Sequence, residues 1–308
     1  MILGLALSSI ASNALWLALG RFIIGIASGL ISTSAMLGLI TTIPDSHKHN
    51  APQLSSIITV IGFGLGPFIG GLIAQFSNQP LVTPYLPIIA AAILCFFGLF
   101  LVKAPQFKVQ PFSIAPRLEI PAAQHHSLFF IAGLTAFSAF GAFSLFASLS
   151  PSFVKDLIPW HGPLVSGSAI ASILLVSAVV QFSAKSLLPA KSLILGLITL
   201  VVSFVLLGLC MSMQWSILFF ISDILVGVGH GLGLLGAFGL IHQMTTTDNR
   251  AAVMSTYLFI GYLGTIVPII AVGYLADHFG LTTGVLGFCL GVGLLCLALI
   301  FWHKKISS

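Results

Sequence analysis

Charge is what this chain has least of. Asp, Glu, Lys and Arg together make up 6% of its 308 residues, where a soluble globular domain carries about a quarter. A water-facing globule is therefore excluded. The cysteines Cys95, Cys210, Cys289 and Cys296 stand singly in apolar segments with no CxxC spacing. Neither a disulfide framework nor a metal site is indicated. A G-x-x-x-x-G-K loop is lacking, so direct coupling to ATP is not indicated and no cofactor is expected. The first segment has no basic n-region and no cleavage site, so a cleaved signal peptide is not expected. The formal charge is +5, but the Lys and Arg residues are scattered between apolar runs. They form no basic face, and a nucleic-acid partner is excluded.

What is there instead is apolar sequence. Hydrophobic residues reach 58% and the mean hydropathy is +1.15. A membrane-spanning helix needs roughly 20 apolar residues to cross about 30 Å of hydrocarbon. Runs of that kind fall at 15–40, 54–76, 84–102, 128–150, 164–184, 189–211, 214–240, 251–275 and 281–302. Met1 to Ser12 is apolar too, but as a helix it reaches only about 18 Å. A β-barrel would show alternating polarity in strands of about ten residues. Ile88 to Val102 and Ser192 to Cys210 do not alternate. The fold class is all-α, a polytopic membrane protein.

Most connections are short and polar or Pro-containing, as in Pro44 to Asn50, Ser77 to Pro80 and Thr245 to Arg250. Residues 103–127 are the exception, with Lys103, Lys108, Arg117, Glu119 and four prolines, Pro105, Pro111, Pro116 and Pro121. They read as a cytoplasmic linker between a bundle at 1–102 and a six-helix bundle at 128–308. Basic residues in connections mark the cytoplasmic side. With Met1 inside, the inner connections hold Lys48, Lys103, Lys108, Arg117, Lys185, Lys191, Arg250, Lys304 and Lys305, and the outer ones only Lys155. Arg21 lies within the membrane.

Two stretches repeat at an offset of 202 residues. Arg21 with Gly25 and Gly29 aligns with Asp223, Gly227 and Gly231, and the same offset sets Gly62 on Gly264 and Gly71 on Gly273. Duplicated bundles are a common transporter plan. At these residues the chain resembles the major facilitator superfamily, in particular its proton-linked drug and small-solute efflux branch. Leu17 to Gly29 is similar to the family's fourth helix, an Arg followed by small residues, with Ile24 where a Gln is frequent. Gly62-Phe63-Gly64-Leu65-Gly66-Pro67-Phe68-Ile69-Gly70-Gly71 resembles the Gly-Pro-x-x-Gly-Gly motif of the antiporters' fifth helix, the most specific signal present. Gly273 to Gly280 looks like the turn after the eleventh helix.

The resemblance implies a two-bundle architecture of twelve helices, six and six, whereas four segments precede the linker here. The family's first two helices and its Gly-Asp-Arg-Gly-Arg loop have no match. On that comparison the chain is expected to be amino-terminally incomplete. The resemblance also implies a multi-pass protein of the bacterial inner membrane, acting as a monomer among membrane lipids, with protons and a small-molecule solute as partners.

Three ionisable residues are candidates for substrate or proton coupling. Arg21 sits four to six residues below the outer end of its segment, where insertion costs about 2.5–3.5 kcal/mol. It either faces an aqueous path, the role the resemblance implies, or snorkels to the headgroups. Asp223 lies roughly 12 Å deep at the helical rise. A carboxylate there takes a proton, a cationic solute or an interhelical partner. His230, two turns further along, suits a proton path or a packed hydrogen bond. Gly62, Gly66 and Gly70 form an i, i+4, i+8 stripe that admits a close helix, and Pro67 bends it. The resemblance assigns this motif, with Gly71, to sealing the transporter. Gly25 with Gly29 and Gly227 with Gly231 repeat the spacing. Phe137, Phe140, Phe143, Phe146 and Phe153 either line an apolar cavity or pack. His47, Lys48, His49 and the pair His125 and His126 are too few for a metal site.

The leading expectation is proton-coupled efflux of a small organic or lipophilic solute by alternating access. Transport of a sugar or other metabolite and a non-transporting truncated remnant stand as alternatives. An intramembrane enzyme is disfavoured, because Asp223 and His230 are about 10 Å apart along one helix, too far for an acid–base pair.

Overall fold

The structure, a computed structural model, describes residues 1–42, 51–101, 118–157, 162–246 and 248–307. Ten α-helices are described: α1 (Ile2–Ser9), α2 (Ala14–Thr42), α3 (Ala51–Gln75), α4 (Tyr85–Leu99), α5 (His126–Leu157), α6 (Pro163–Ser183), α7 (Pro189–Met213), α8 (Ser216–Met244), α9 (Arg250–Phe279) and α10 (Leu281–Ser307). Each of the nine long apolar segments is a helix, and Met1 to Ser12 holds the short α1. Seven helices are long and apolar enough to cross a membrane among the described residues. His47, Lys48, His49 and most of the expected linker, including Lys103, Lys108 and Arg117, lie outside the described residues.

Helix α4 is shorter than its apolar run. The Phe100 and Leu101 N–H groups reach back three residues, to the Phe97 and Gly98 carbonyls at 3.1 and 3.0 Å, so the helix ends in a tightened 3-10 turn. Its 15 residues span about 22 Å. Helix α5 is longer than expected, at 32 residues. Between α9 and α10 the turn is a single residue, Gly280, at φ 87°, a left-handed backbone that a side chain would strain.

The chain divides into two compact units, Met1–Ser113 and Ile114–Ser308. In the first, α1 packs on α2 and α4, and α2 on α3. The α1–α2 crossing is close because Gly4 and Gly20 meet there; a Cβ on Gly4 would lie 2.9 Å from the Gly20 carbonyl oxygen. In the second, α8 is surrounded by α5, α6 and α7, and α10 closes against α7 and α9.

The internal repeat extends from motif to architecture. Shifted by 202, the bounds of α2 become 216–244, those of α8; α1, α3 and α4 fall within α7, α9 and α10. Packing follows the same correspondence. Helix α1 rests on α2 and α4 as α7 rests on α8 and α10. Helices α5 and α6 have no counterpart among the described residues of the first unit, and these two helices flank the candidate site.

Candidate functional site

Helix α8 owes its central place to glycine. Gly227 and Gly231 lie on one face, four residues apart, and carry no side chain to hold α6 away. A Cβ on Gly227 would sit 2.8 Å from Val176 Cβ, and one on Gly231 2.7 Å from the Ser177 carbonyl. On the α7 side, Gly229 does the same work against Leu200 and Gly196, and a Cβ on Gly196 would lie 2.7 Å from Gly233 Cα. Lipid offers helices little hydrophobic driving force, so such close packing, with hydrogen bonds between helices, holds them together. Ser203 and Ser222 supply those bonds on the α7 side, each hydroxyl donating to the other's carbonyl at 3.1 and 3.0 Å.

The same approach brings two serines of α6 onto the ionisable residues of α8. Asp223 is 3% exposed and His230 5%. The Ser172 hydroxyl donates to Asp223 Oδ2 and also lies 2.8 Å from the Ala169 carbonyl of its own helix. Asp223 Oδ1 has no hydrogen-bond partner among the described residues. Five residues further along α6, Ser177 Oγ stands 2.8 Å from His230 Nδ1 and accepts from Gln181 Nε2 at 3.1 Å. From α5, the rings of Phe140 and Phe143 enclose the imidazole at 5.7 and 6.2 Å. Asp223 and His230 thus have separate serine partners.

A cavity of about 520 Å³ opens between α6 and α8 beside Asp223. Val165, Ala169, Phe220 and Ile224 form apolar walls, and Ser168, Ser172 and Asp223 are its polar groups. The Ser168 hydroxyl is committed to the Leu164 carbonyl at 2.7 Å. Asp223 Oδ1 is itself fully buried and lies behind the cavity wall.

The other predicted residues are distributed elsewhere. Arg21 is exposed on α2, with Nη2 donating to the Tyr85 hydroxyl at 2.9 Å. A Cβ on Gly25, Gly29, Gly62, Gly66 or Gly70 would meet nothing within 4 Å among the described residues. Pro67 lies inside α3 and Gly71 is buried. Phe146 packs on Phe219 in the core at 5.5 Å, Phe137 lines a separate cavity with Pro268 and Val272, and the Phe153 side chain lies outside the described set. The sequence reading missed Ser172, Ser177 and Gln181. Their signal was the spacing 172, 177, 181 on the helix preceding α7, legible only once α6 was known to face α8.

The chain is thus an all-α, polytopic membrane bundle with a buried carboxylate beside a mid-helix cavity. Its fold resembles those of solved membrane transporters, among them FucP, which is described as a major facilitator superfamily transporter. A bacterial homolog of the human lysosomal transporter Spinster, inward-facing and unoccupied, superposes with a TM-score of 0.70 at 15% identity, over 99% of this chain and 81% of that one. Its occupied form gives 0.68 at 14%, over 99% and 80%. FucP, the fucose:proton symporter of E. coli, gives 0.52 at 18%, over 100% and 81%. No sequence-family profile and no curated protein sequence matches the chain.

Proposed function

We propose that this protein is a secondary transporter of the bacterial inner membrane that exports a small organic solute in exchange for protons, with Asp223 carrying the coupling proton. The observation behind this reading is the Ala169–Ser172–Asp223 arrangement. When Asp223 is ionised, the Ser172 hydroxyl donates to Oδ2. When Asp223 is protonated, its own O–H can donate to Ser172 Oγ, whose proton then turns to the Ala169 carbonyl 2.8 Å away. Both protonation states keep their hydrogen bonds, so gaining or losing the proton leaves no buried donor unpaired.

The remaining candidates take supporting parts in this reading. His230, held by Ser177, is a second proton-exchanging group deeper in the same bundle. Arg21, exposed on α2 of the first unit, is a further candidate for contact with the solute. The stripe of Gly62, Gly66 and Gly70, with Pro67 and Gly71, seals against another helix during the cycle, and Gly25 with Gly29 repeats its spacing on α2. Alternating access then follows from rocking of the helix bundles. The catalytic alternative is weakened by Asp223 and His230 having separate partners and sharing no hydrogen bond.

The test is gradient-driven transport in vesicles of purified protein that are acidic inside. A lipophilic amine, a hexose, an amino acid and a lipophilic acid serve as labelled solutes. Accumulation of one of them beyond that in protein-free vesicles, collapsing with the gradient, supports the reading. No accumulation of any, by protein shown to be folded, counts against it.

A further inference from the structure

Helices α7 and α10 leave an apolar groove of about 280 Å³ between them. Val201 and Val205 form one rim, Leu290, Leu294 and Leu297 the other, with Gly208 and Gly293 between them. A Cβ on Gly208 would lie 3.5 Å from Leu286, and one on Gly293 3.8 Å from Phe204. These contacts set the register of the pair. Val205, Leu290 and Leu294 are exposed, so the groove opens sideways, toward hydrocarbon in a membrane. Apart from the Cys289 thiol its side chains are hydrocarbon, and a polar solute finds no hydrogen bonds there.

Both rims continue past the groove to a lysine. Seven residues make nearly two turns, so Lys191, Ile198 and Val205 share one side of α7, and Leu290, Leu297 and Lys304 one side of α10. Ile198 and Leu297 are exposed as well. Lys191 is 17 residues from Gly208, and Lys304 is 18 from Leu286. At the helical rise these are about 25 and 27 Å, which brings the two ammonium groups to one level. Both lysines are exposed, and α7 and α10 contain no acidic residue. Trp302, two residues from Lys304, is a side chain typical of the headgroup level. The opposite ends of the pair, 210–215 and 277–284, hold no lysine or arginine. The lysines sit at the end that the basic connections mark as cytoplasmic.

We propose that this face binds an anionic phospholipid of the cytoplasmic leaflet, its phosphate between Lys191 and Lys304 and one acyl chain along the α7–α10 groove. The phosphate complements two lysines that have no carboxylate on their own helices. One leaflet contributes about 15 Å of hydrocarbon, and Leu297 lies about 10 Å from Lys304 along the axis. A chain anchored at the lysines therefore enters the near end of the groove. A zwitterionic lipid offers the same chain but already neutralises its phosphate with its own cation. A chain from the other leaflet would fill the far end with no lysine to fix its headgroup. The site lies within the second unit and does not rest on the transport reading.

The experiment is titration of the delipidated 308-residue chain in detergent, with bound lipid counted by native mass spectrometry. The probes are phosphatidylglycerol and phosphatidylcholine with identical palmitoyl and oleoyl chains. Wild type should bind one phosphatidylglycerol at least about tenfold tighter than phosphatidylcholine, equivalent to about 1.4 kcal/mol. The double variant Lys191→Gln, Lys304→Gln should bring the two lipids to one affinity. Lys185→Gln removes the same charge from a lysine resting on the Phe182 ring at 4.8 Å, and should keep the preference. Gly293→Leu, which puts a side chain into the groove, should weaken both lipids alike. Melting curves show which variants are folded; Leu290→Trp, on the exposed rim, replaces Gly293→Leu where that variant melts early. Equal affinity for the two lipids in wild type, or a preference that survives the double variant, overturns the site. So does a preference lost equally in Lys185→Gln, or undiminished binding once the groove is filled. Displacement of phosphatidylglycerol by glycerol 3-phosphate at matched concentration would make the ligand a free phosphate and contradict the lipid.

Discussion

Ser177 Oγ of α6 and His230 Nδ1 of α8 stand 2.8 Å apart in a contact closed off by the rings of Phe140 and Phe143. Gln181 donates to the same hydroxyl. If the serine donates its own proton to Nδ1, the ring proton sits on Nε2, a tautomer set by a neighbour on another helix. Ser177→Ala should leave Nδ1 without its partner and the buried ring unsatisfied. The expected cost is about 1–3 kcal/mol of stability, read as a lower melting temperature in detergent. In the intact protein, nitrogen NMR of labelled histidine should report the Nε2–H form, and Ser177→Ala should shift that resonance.

Glycines that look alike in sequence should respond differently to substitution. Gly227 and Gly231 face the α6 backbone and side chains at contact distance, whereas a Cβ on Gly25 would meet nothing within 4 Å among the described residues. Gly231→Leu should therefore destabilise the second bundle by more than the roughly 1–3 kcal/mol typical of overpacking, lowering folded yield. Gly25→Ala should stay within about half a kcal/mol of wild type, as open-surface changes do. Paired melting curves check both.

The stripe of Gly62, Gly66 and Gly70 gives a sharper separation of folding from function. With no atom within 4 Å of a built Cβ among the described residues, Gly66→Leu should melt within a few degrees of wild type. If the stripe seals a helix contact during the cycle, the same variant should lose most gradient-driven transport or leak protons. Unchanged transport and unchanged leak would remove the sealing role.

Arg21 and Tyr85 make an exposed hydrogen bond at 2.9 Å. Exposed pairs contribute little, about 0–1 kcal/mol, so Tyr85→Phe should barely move stability. Arg21→Gln should likewise fold, and should slow transport several-fold if the guanidinium faces the solute path. A snorkelling Arg21 predicts wild-type transport in Arg21→Gln, measured in the same vesicles.

The helices were legible because lipid demands long apolar runs, and each expected run is a helix within a few residues. Where it is not, local backbone chemistry decided: the 3-10 turn at Phe100 ends α4 at Leu99. The duplication was legible from Arg21 and Asp223 with their glycines, since α2 and α8 have matching lengths and neighbours. The site was half legible. Asp223 and His230 were visible as ionisable residues in apolar helices. Their partners were not, because Ser172 and Ser177 are ordinary small residues until the glycine face of α8 brings α6 against them. Equivalent glycines in the two halves read identically, although only Gly227 and Gly231 are covered among the described residues. Periodicity shows which face of a helix is smooth, and leaves open what lies on it.

The central claim is that the proton carried by Asp223 couples transport to the gradient, and Asp223→Asn in reconstituted vesicles tests it most directly. The amide keeps the shape and a hydrogen bond to Ser172 but cannot exchange a proton. The variant should still exchange labelled for unlabelled solute at equilibrium, and should fail to accumulate solute against its gradient when the vesicle interior is acidic. Accumulation by Asp223→Asn equal to wild type would contradict the account.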